Sequence, residues 1–328
     1  MKTGLTCAAA LILGAAALGA QQPVVGLITK TETNPFFVKM KEGAEQAAKA
    51  NGLKLITGAG RNDGDNAGQV TALENMMAAG AKVVMITVND SKAIVPAIRK
   101  ARDKGVIVIA LDSPTDPVNA TDALYATDNY RAGTLIGQYA RAALGSRTPK
   151  IATLDLFPGH PVGAQRHNGF LKGFGLAAPE KASNTLGRPS EVVCMADSYG
   201  DQTKGQTGME TCLQKNPDIN VVYTINEPAA YGAYQALQAA GKEQGVLIAS
   251  VDGGCAGVRN VRAGVIDATS QQYPLLMASR GVGAVVKYAK TGIKPKGYTD
   301  TGVNLIAKKA LVGVRSKTVK YGLANCWG

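Results

Sequence analysis

Polar side chains stand directly after several short apolar runs of this sequence. Asp112 follows Val-Ile-Ala-Leu, Asn226 follows Val-Tyr-Thr-Ile, Asp252 follows Ile-Ala-Ser-Val, and Asn89 with Asp90 follows Met-Ile-Thr-Val. In open parallel sheets, ligands bind beyond the carboxyl ends of the strands, so these side chains are predicted to meet in one cleft. Each of them alone is explained more simply as a helix cap or a turn residue, but their recurrence favours a polar binding cleft.

Such a cleft suits a neutral ligand rich in hydroxyl groups, because each carboxylate or amide can bond two neighbouring hydroxyls. Phe36 and Phe37 supply aromatic faces for the C-H side of such a ligand. Asn34 and Pro35 in front of them predict a helix start. Adjacent helical residues lie about 100° apart, so we expect one ring in the core and the other lining the cleft.

Catalytic constellations are missing from the sequence. The two histidines, His160 and His167, lack the spacing of a metal site, and no G-x-S-x-G elbow is present. The segment 200 to 207 approaches a phosphate-binding loop, but Gln206 stands where lysine is required, so a surface loop is predicted. We therefore expect no enzyme activity, no catalytic residue, no metal and no cofactor.

The elements that must position these residues follow an alternating pattern. β-Branched runs alternate with Ala-rich amphipathic stretches, which is typical of βαβ units in the α/β class. Strands are predicted at 24–28, 53–57, 83–88, 106–111, 151–157, 192–195, 221–225 and 247–251. Helices are predicted at 36–50, 67–79, 91–104, 130–144, 163–175, 203–215, 228–240 and 256–263. Because so many strands rarely form a single sheet, two similar doubly wound lobes are expected.

Composition limits the possible partners. The 328 residues, 45% of them hydrophobic, suffice for two domains. The formal net charge is +12, but the basic residues are scattered and the aromatic residues, 5% of the chain, do not alternate with them. A solvated basic surface is therefore favoured over a nucleic-acid partner. Residues 1–20 have the layout of a signal peptide, which predicts export and no stable membrane insertion.

Export permits disulfides among the four cysteines that follow the signal segment. Three pairings are possible. We favour Cys194 with Cys212, which join a strand to the next helix, and Cys255 with Cys326, which tie the last residues to a turn. Free buried thiols are the alternative at this stage. Counting free thiols in the denatured, unreduced protein separates the two, since four free thiols would exclude both bridges.

The order of several short motifs resembles a known family. TNPFF at 33–37, IALD ending at Asp112, ATDN at 126–129, TINEPAA at 224–230, SVDGG at 250–254 and ATSQQYP at 268–274 are similar to the periplasmic sugar-binding proteins of ABC importers. The likeness covers residues 24 to 328 and belongs to the ribose-binding-like class. The sequence of residues 26–44 and the C-terminal Cys-Trp-Gly most resemble the fructose-binding members. Fructose is therefore the expected ligand, with ribose or another pentose or hexose as the alternative.

The resemblance also implies site residues. Its predicted sugar-binding set is Asn34, Phe36, Phe37, Asp112, Arg166, Asn226, Asp252 and Gln272. Arg166 is predicted to be either a sugar ligand or part of a structural ion pair. Asp128 and Asn129 are predicted to be ligand or hinge groups. Two departures argue against ribose, because Ser113 stands where ribose binders carry an arginine and Ala164 lies two residues before Arg166.

The family further implies two lobes that exchange segments through three crossovers, near 128–130, 272–274 and 299–302. The N-terminal lobe is then 23–128 plus 273–300, and the C-terminal lobe 129–272 plus 301–328. We expect a monomer in the periplasm or otherwise outside the cytoplasmic membrane. Its closed form would be read by the importer's membrane subunits, with Glu227 among the candidate docking charges.

Other classes share this fold. A sugar-responsive transcription regulator would need a helix-turn-helix before the first strand, whereas a signal-like segment leads directly into Val24. An enzyme on this scaffold is opposed by the lack of a catalytic set. A sugar sensor that presents its ligand to a chemoreceptor or a kinase would use the same closed form, and the sequence leaves it open.

Overall fold

The structure is a computed structural model and describes residues 22 to 328. Its strands belong to two sheets. In chain order the strands are β1 (Val24–Thr29), β2 (Lys54–Ala59), β3 (Val83–Ile86), β4 (Ile107–Leu111), β5 (Ala123–Ala126), β6 (Ile151–Asp155), β7 (Val192–Asp197), β8 (Val221–Thr224), β9 (Leu247–Asp252), β10 (Ala268–Gln271), β11 (Gly297–Asp300), β12 (Asn304–Ala307) and β13 (Lys317–Thr318).

Helices separate most of these strands. They are α1 (Pro35–Ala50), α2 (Asn66–Ala78), α3 (Val95–Asp103), α4 (Asn129–Leu144), α5 (Pro161–Phe174), α6 (Gln202–Lys215), α7 (Glu227–Ala239), α8 (Cys255–Ala263), α9 (Pro274–Thr291) and α10 (Val319–Asn325). The first sheet has the order β11-β5-β4-β3-β1-β2, and all its pairs are parallel. The second has the order β13-β12-β10-β9-β8-β6-β7, in which only β10 and β12 pair antiparallel. The predicted fold of two doubly wound lobes is confirmed.

The inner strands explain why these sheets form. β3 (VVMI) and β4 (IVIAL) are buried along their whole length, as expected for parallel strands covered on both faces by helices. The edge strands β2 and β11 are partly exposed and more polar. Apolar area therefore concentrates at the centre of each sheet, where burial contributes roughly 25 cal/mol per Å².

The chain passes between the two sheets three times. It crosses from β5 to α4, from β10 to α9, and from β11 to β12. α9 returns to the first sheet and packs so closely on α1 that a Cβ at Gly43 would lie 2.9 Å from the Leu275 Cα. The absence of a side chain at Gly43 thus allows α9, which follows the second crossover, to pack on α1 of the first lobe.

Both favoured cysteine pairings are present in the structure. Cys194 on β7 bonds Cys212 on α6, with 5.5 Å between their Cα atoms. Cys255 at the start of α8 bonds Cys326, just after α10, with 4.9 Å between Cα atoms. All four residues lie on elements of the second sheet or its helices. Neither bridge therefore joins the two sheets covalently.

The signal-peptide prediction for residues 1–20 lies outside the described residues. Within residues 22 to 328, no helix is long and apolar enough to cross a membrane.

The expectation that the segment 200–207 is a surface loop is wrong. α6 begins at Gln202, and Gly200 just before it reaches the space between the lobes.

Candidate functional site

A cavity of about 50 Å³ lies between the two lobes. All eight residues of the predicted sugar-binding set line it. The lining is Lys30, Asn34, Phe36, Phe37, Asp63, Asp112, Leu156, Val162, Arg166, Tyr199, Gly200, Ile225, Asn226, Asp252 and Gln272.

Asp112 lies at the end of β4 in an unusual backbone conformation, with φ of 61°. Its Oδ2 accepts a hydrogen bond from the Ser113 hydroxyl at 3.0 Å. Its Oδ1 is buried and has no hydrogen-bond partner among the described residues. Strained backbone is found most often at functional sites, and a buried unpaired acceptor costs about 1–3 kcal/mol. Asp112 is therefore prepared to accept a hydrogen bond from a ligand.

Asp252 and Gln272 form a second polar wall. Gln272 Nε2 donates to Asp252 Oδ1 at 2.8 Å, and Gln272 Oε1 is a second buried acceptor without a partner in residues 22 to 328. Burial raises the pKa of Asp252, and the nearby Asp112 charge adds to this, while Arg166 opposes it. Arg166 Nη1 lies 3.7 Å from Asp252 Oδ1.

Arg166 is oriented by the neighbouring elements. Its Nε donates to Asn129 Oδ1 at 2.7 Å, and its Nη1 donates to the Ile225 carbonyl at 2.8 Å. Asn129 is the first residue of α4, is almost fully buried, and lies outside the cavity lining. Arg166 therefore both faces the cavity and pairs with Asp252, whereas Asn129 holds the guanidinium in place from behind.

Asn34 caps α1 through Oδ1, which accepts from the Phe36 N-H at 3.0 Å. Asn34 also lines the cavity, so its amide nitrogen is the group that we expect to donate to a ligand. Phe36 and Phe37 are both buried, both line the cavity and meet edge to face. The expectation that one ring would be in the core and the other in the cleft is wrong, because each ring packs in the core and also lines the cavity.

Asn226 on the opposite wall is more fully engaged. Its Oδ1 caps α7 through the Ala229 N-H, and its Nδ2 donates to the Gly200 carbonyl at 3.0 Å. The amide still has one hydrogen and one lone pair for a ligand. These bonds join the start of α7 to the segment before α6.

Lys30 and Asp63 are cavity residues that sequence reasoning missed. Lys30 follows β1 directly, so the strand-end rule applied to that strand would have found it, whereas Asp63 lies in the loop after β2, beyond the reach of the rule. Burial lowers the pKa of Lys30, with Asp63 and Asp112 opposing, and burial raises the pKa of Asp63. Lys30 Nζ also lies 3.2 Å from His160 Nε2, a contact between the two lobes.

Tyr199 is a third missed residue. It has a positive φ of 54°, stacks on Phe157 and lies under Lys204 Nζ, which is 3.9 Å from the ring centroid. Tyr199 lines the cavity and is also partly exposed. No sequence signal predicts a positive φ at a tyrosine, so this placement could not be read from the residues alone.

Several candidates lie elsewhere. Asn89 donates from Nδ2 to the Asn62 and Asp65 carbonyls, and Asp90 caps a turn through the Lys92 and Ala93 N-H groups. They brace neighbouring loops and do not line the cavity, so including them in the polar cleft was wrong. Asp128 caps α4 and pairs with Lys181, also outside this cavity.

Glu227 is not a docking charge, contrary to expectation. It is buried, and its carboxylate accepts from the Gly253 and Gly254 N-H groups and the Thr269 hydroxyl. Burial and the Asp252 charge raise its pKa, while these bonds favour the ionised form. Glu227 fixes the turn that follows Asp252, so its role is to position that side chain.

Among residues 22 to 328, no group of three His, Cys, Asp or Glu residues is arranged to hold a metal ion. His167 is fully buried between the Asp155 carboxylate and the Gly187 carbonyl, each 2.8 Å from a ring nitrogen. His160 caps α5 by accepting from the Val162 N-H. Both histidines are thus placed in structural hydrogen bonds.

Comparison with known proteins gives the class. A family model described as a periplasmic binding protein domain matches residues 25–294. The ribose import binding protein of Bacillus subtilis is 31% identical over 253 residues, which is 77% of each chain. The D-allose-binding periplasmic protein of Escherichia coli is 28% identical and covers 86% of this chain and 89% of its own.

Solved structures agree with this match. An ABC transporter periplasmic solute binding protein from Actinobacillus succinogenes with bound D-allose has a TM-score of 0.77 at 26% identity, covering 88% of this chain and 98% of its own. A carbohydrate transporter solute binding protein from Agrobacterium radiobacter in complex with D-arabinose has a TM-score of 0.77 at 25% identity, with 88% and 95% coverage. The chain belongs to the periplasmic binding protein family. It is a binding protein and not an enzyme.

Proposed function

We propose that the chain captures a monosaccharide between its lobes and delivers it to an ABC importer. The observation that carries this proposal is the pair of buried acceptors, Asp112 Oδ1 and Gln272 Oε1, which line one cavity and lack partners in residues 22 to 328. Because buried polar atoms are nearly always hydrogen-bonded, ligand hydroxyls are their simplest partners. Phe36 and Phe37 then cover the apolar face of the sugar ring.

The charge of the cavity favours a neutral ligand. Its two cations, Lys30 and Arg166, face three carboxylates, those of Asp63, Asp112 and Asp252. An anionic ligand would meet an excess of negative charge in a site of low dielectric. Hydroxyl groups, in contrast, can donate to the carboxylates and accept from the cations at once.

We propose fructose as the sugar for two reasons. The sequence of residues 26–44 resembles the fructose-binding members, and two positions differ from those of ribose binders. Ser113 is fully buried and donates to Asp112 where an arginine would reach the sugar. Ala164 is buried and outside the cavity lining, so it offers no hydrogen bond there. Ribose, allose and arabinose are the alternatives, because relatives are named for these sugars.

The full site in this proposal adds three residues to the original set. Lys30, Asp63 and Tyr199 would contact the sugar beside Asn34, Arg166 and the others. Asn129 is placed behind Arg166 as a supporting residue, and Asp128 near the first crossover as a hinge residue, since its backbone N-H donates to Asp300 Oδ1 at 3.2 Å.

Lobes of 23–128 plus 273–300 and 129–272 plus 301–328 are proposed to close around the sugar. The three crossovers act as the hinge, and the Lys30–His160 contact forms as the lobes meet. Membrane subunits of the importer would bind the closed form in the periplasm. Family membership and the names of the relatives support this partner and location.

Isothermal titration calorimetry of the purified chain with D-fructose, D-ribose, D-allose and D-arabinose tests the proposal. We expect the tightest binding for fructose. Urea unfolding with fructose at a hundred times its Kd should in addition show a rise in unfolding free energy of about 2.7 kcal/mol. If another sugar of the panel binds more tightly, the receptor function is supported, but that sugar and not fructose is the ligand. If no sugar binds at millimolar concentration, the receptor function itself is contradicted.

A further inference from the structure

Trp327 is a buried aromatic residue that lies between the lobes, behind the cavity. It is 7% exposed and is the single tryptophan of the sequence. Its indole packs edge to face on Phe36, with 5.3 Å between ring centroids. Phe36 belongs to α1 of the first lobe and lines the cavity, whereas Trp327 itself does not line it. Trp327 therefore contacts a ring that lines the cavity without lining the cavity itself.

The same indole also contacts the second crossover. Its Nε1 donates to the Gln272 carbonyl at 2.8 Å. Gln272 carries one of the unpaired buried acceptors, and its Nε2 is bonded to Asp252. A single side chain thus fixes two neighbouring parts of the site, one by ring packing and one by a backbone hydrogen bond.

Trp327 is held from the second lobe. The Cys255–Cys326 bridge joins the preceding residue to the start of α8, and the Cys255 N-H donates to the Trp327 carbonyl at 2.9 Å. α10, which leads into this segment, packs on α8 and β12. The indole is thus anchored covalently, one residue away, to one lobe while it contacts a ring of the other.

We propose that Trp327 is a positioning residue for the sugar site and that the Cys255–Cys326 disulfide holds it there. This inference rests on the proposed function. The indole fixes the Gln272 backbone within its own lobe before the ligand arrives, and it packs against the Phe36 ring when the lobes close, which reduces the entropy lost on binding. Since Trp327 touches the first lobe from the second, it also stabilises the closed arrangement.

The disulfide gives the first test, because the chain contains a matched control. In C255S/C326S we expect the Trp327 emission to become more accessible to acrylamide in the absence of sugar, and the Kd for the bound sugar to rise about tenfold. In C194S/C212S, whose bridge lies between β7 and α6, we expect lower stability with unchanged quenching and Kd. Equal quenching and equal Kd in both variants would contradict the proposal.

Substitution of Trp327 gives the second test. Trp327→Phe keeps a ring against Phe36 but loses the bond to the Gln272 carbonyl, so its Kd should rise less than that of Trp327→Ala. A double-mutant cycle with Phe36→Leu should be strongly non-additive, with the double variant little weaker than Phe36→Leu alone. Additive losses would mean that Trp327 acts only on overall stability.

The two tests also separate this inference from the proposed function. If wild type binds no sugar of the panel, the receptor function fails, while the quenching comparison still decides whether the bridge holds the indole. If wild type binds sugar and Trp327→Ala binds it equally well, the receptor stands and the positioning role is wrong.

Discussion

The carboxylate of Asp112 illustrates how single residues prepare the site. Its positive φ directs the side chain into the cavity, and Ser113 occupies only one of its two oxygens. The other oxygen stays unpaired in residues 22 to 328, as does Gln272 Oε1. A ligand hydroxyl that donates to each of these oxygens would satisfy a buried acceptor that the neighbouring side chains leave unpaired.

Arg166 gives a prediction about two adjacent residues. Asn129→Ala removes the acceptor at 2.7 Å from Arg166 Nε, so the guanidinium loses its orientation and sugar affinity should fall about tenfold. Asp128→Ala is the control, because Asp128 caps α4 outside the cavity. Calorimetry should show unchanged affinity for Asp128→Ala, with stability lower by about 1 kcal/mol. The reverse pattern would make Asp128 the ligand group.

His167 gives a prediction about pH. Burial alone lowers its pKa, but the charge of Asp155 and the hydrogen bonds to Asp155 and the Gly187 carbonyl raise the pKa overall above 6.5. Its contribution to the unfolding free energy is therefore complete below pH 6.5 and is lost as pH rises through the higher folded-state pKa.

Urea unfolding of wild type and His167→Gln at pH values from about 6 to about 9 measures this contribution. The stability advantage of wild type should shrink with rising pH, by at most about 1.4 kcal/mol per pH unit. Parallel profiles for the two proteins would show that the imidazole does not change its charge in this range.

At the scale of elements, the sequence predicted the strands in long apolar runs and missed β5, β10, β11, β12 and β13. β3 and β4 are continuous apolar runs rich in Val and Ile, and both were predicted. β10 (Ala-Thr-Ser-Gln) was missed, although it is fully buried. Its polar groups are paired with distant ones, as Thr269 is with Glu227 and Ser270 with the Ala132 carbonyl. Such pairing depends on tertiary structure and leaves no periodic apolar pattern.

The site residues also divide into those that the sequence could place and those that depend on tertiary structure. Residues directly after apolar strands, such as Asp112 and Asp252, could be placed from the sequence because strand ends meet at one edge. Lys30 obeys the same rule and was overlooked. Tyr199 could not be placed, since its position depends on a positive φ and on packing against Phe157.

The pairing of α4 with α5 gives a prediction about an element. A Cβ at Gly133 would overlap the Arg166 carbonyl, and one at Gly169 would overlap the Tyr130 carbonyl. Gly133→Ala should separate the helices, destabilise the protein by about 1–3 kcal/mol or more, and weaken sugar binding by displacing Arg166 from Asn129.

The control is Gly283 on α9, where an added Cβ meets nothing within 4 Å. Gly283→Ala should stabilise the protein by roughly 1 kcal/mol through helix propensity and leave sugar affinity unchanged. Chemical denaturation and calorimetry measure both effects. If Gly133→Ala were as stable as wild type, the close helix contact would not govern the site.

For the whole molecule, the proposed closure around a sugar predicts a change of shape. Asn34 and Phe36 line the cavity from one lobe and Asn226 and Asp252 line it from the other, so a sugar that bonds both walls would draw the lobes together. Small-angle X-ray scattering should therefore show a smaller radius of gyration with bound sugar than without it. An identical radius in both states would argue against an open ligand-free form.

The interlobe cavity as a sugar site is tested most directly by comparing two strand-end aspartates. Asp112 presents an unpaired oxygen to the cavity, whereas Asp90 caps a turn outside it. Calorimetric titration with the sugar that wild type binds should show affinity reduced about ten- to a hundredfold in Asp112→Ala, as expected when a charge-assisted hydrogen bond is lost, and unchanged in Asp90→Ala. Equal affinity in Asp112→Ala and wild type would contradict the site.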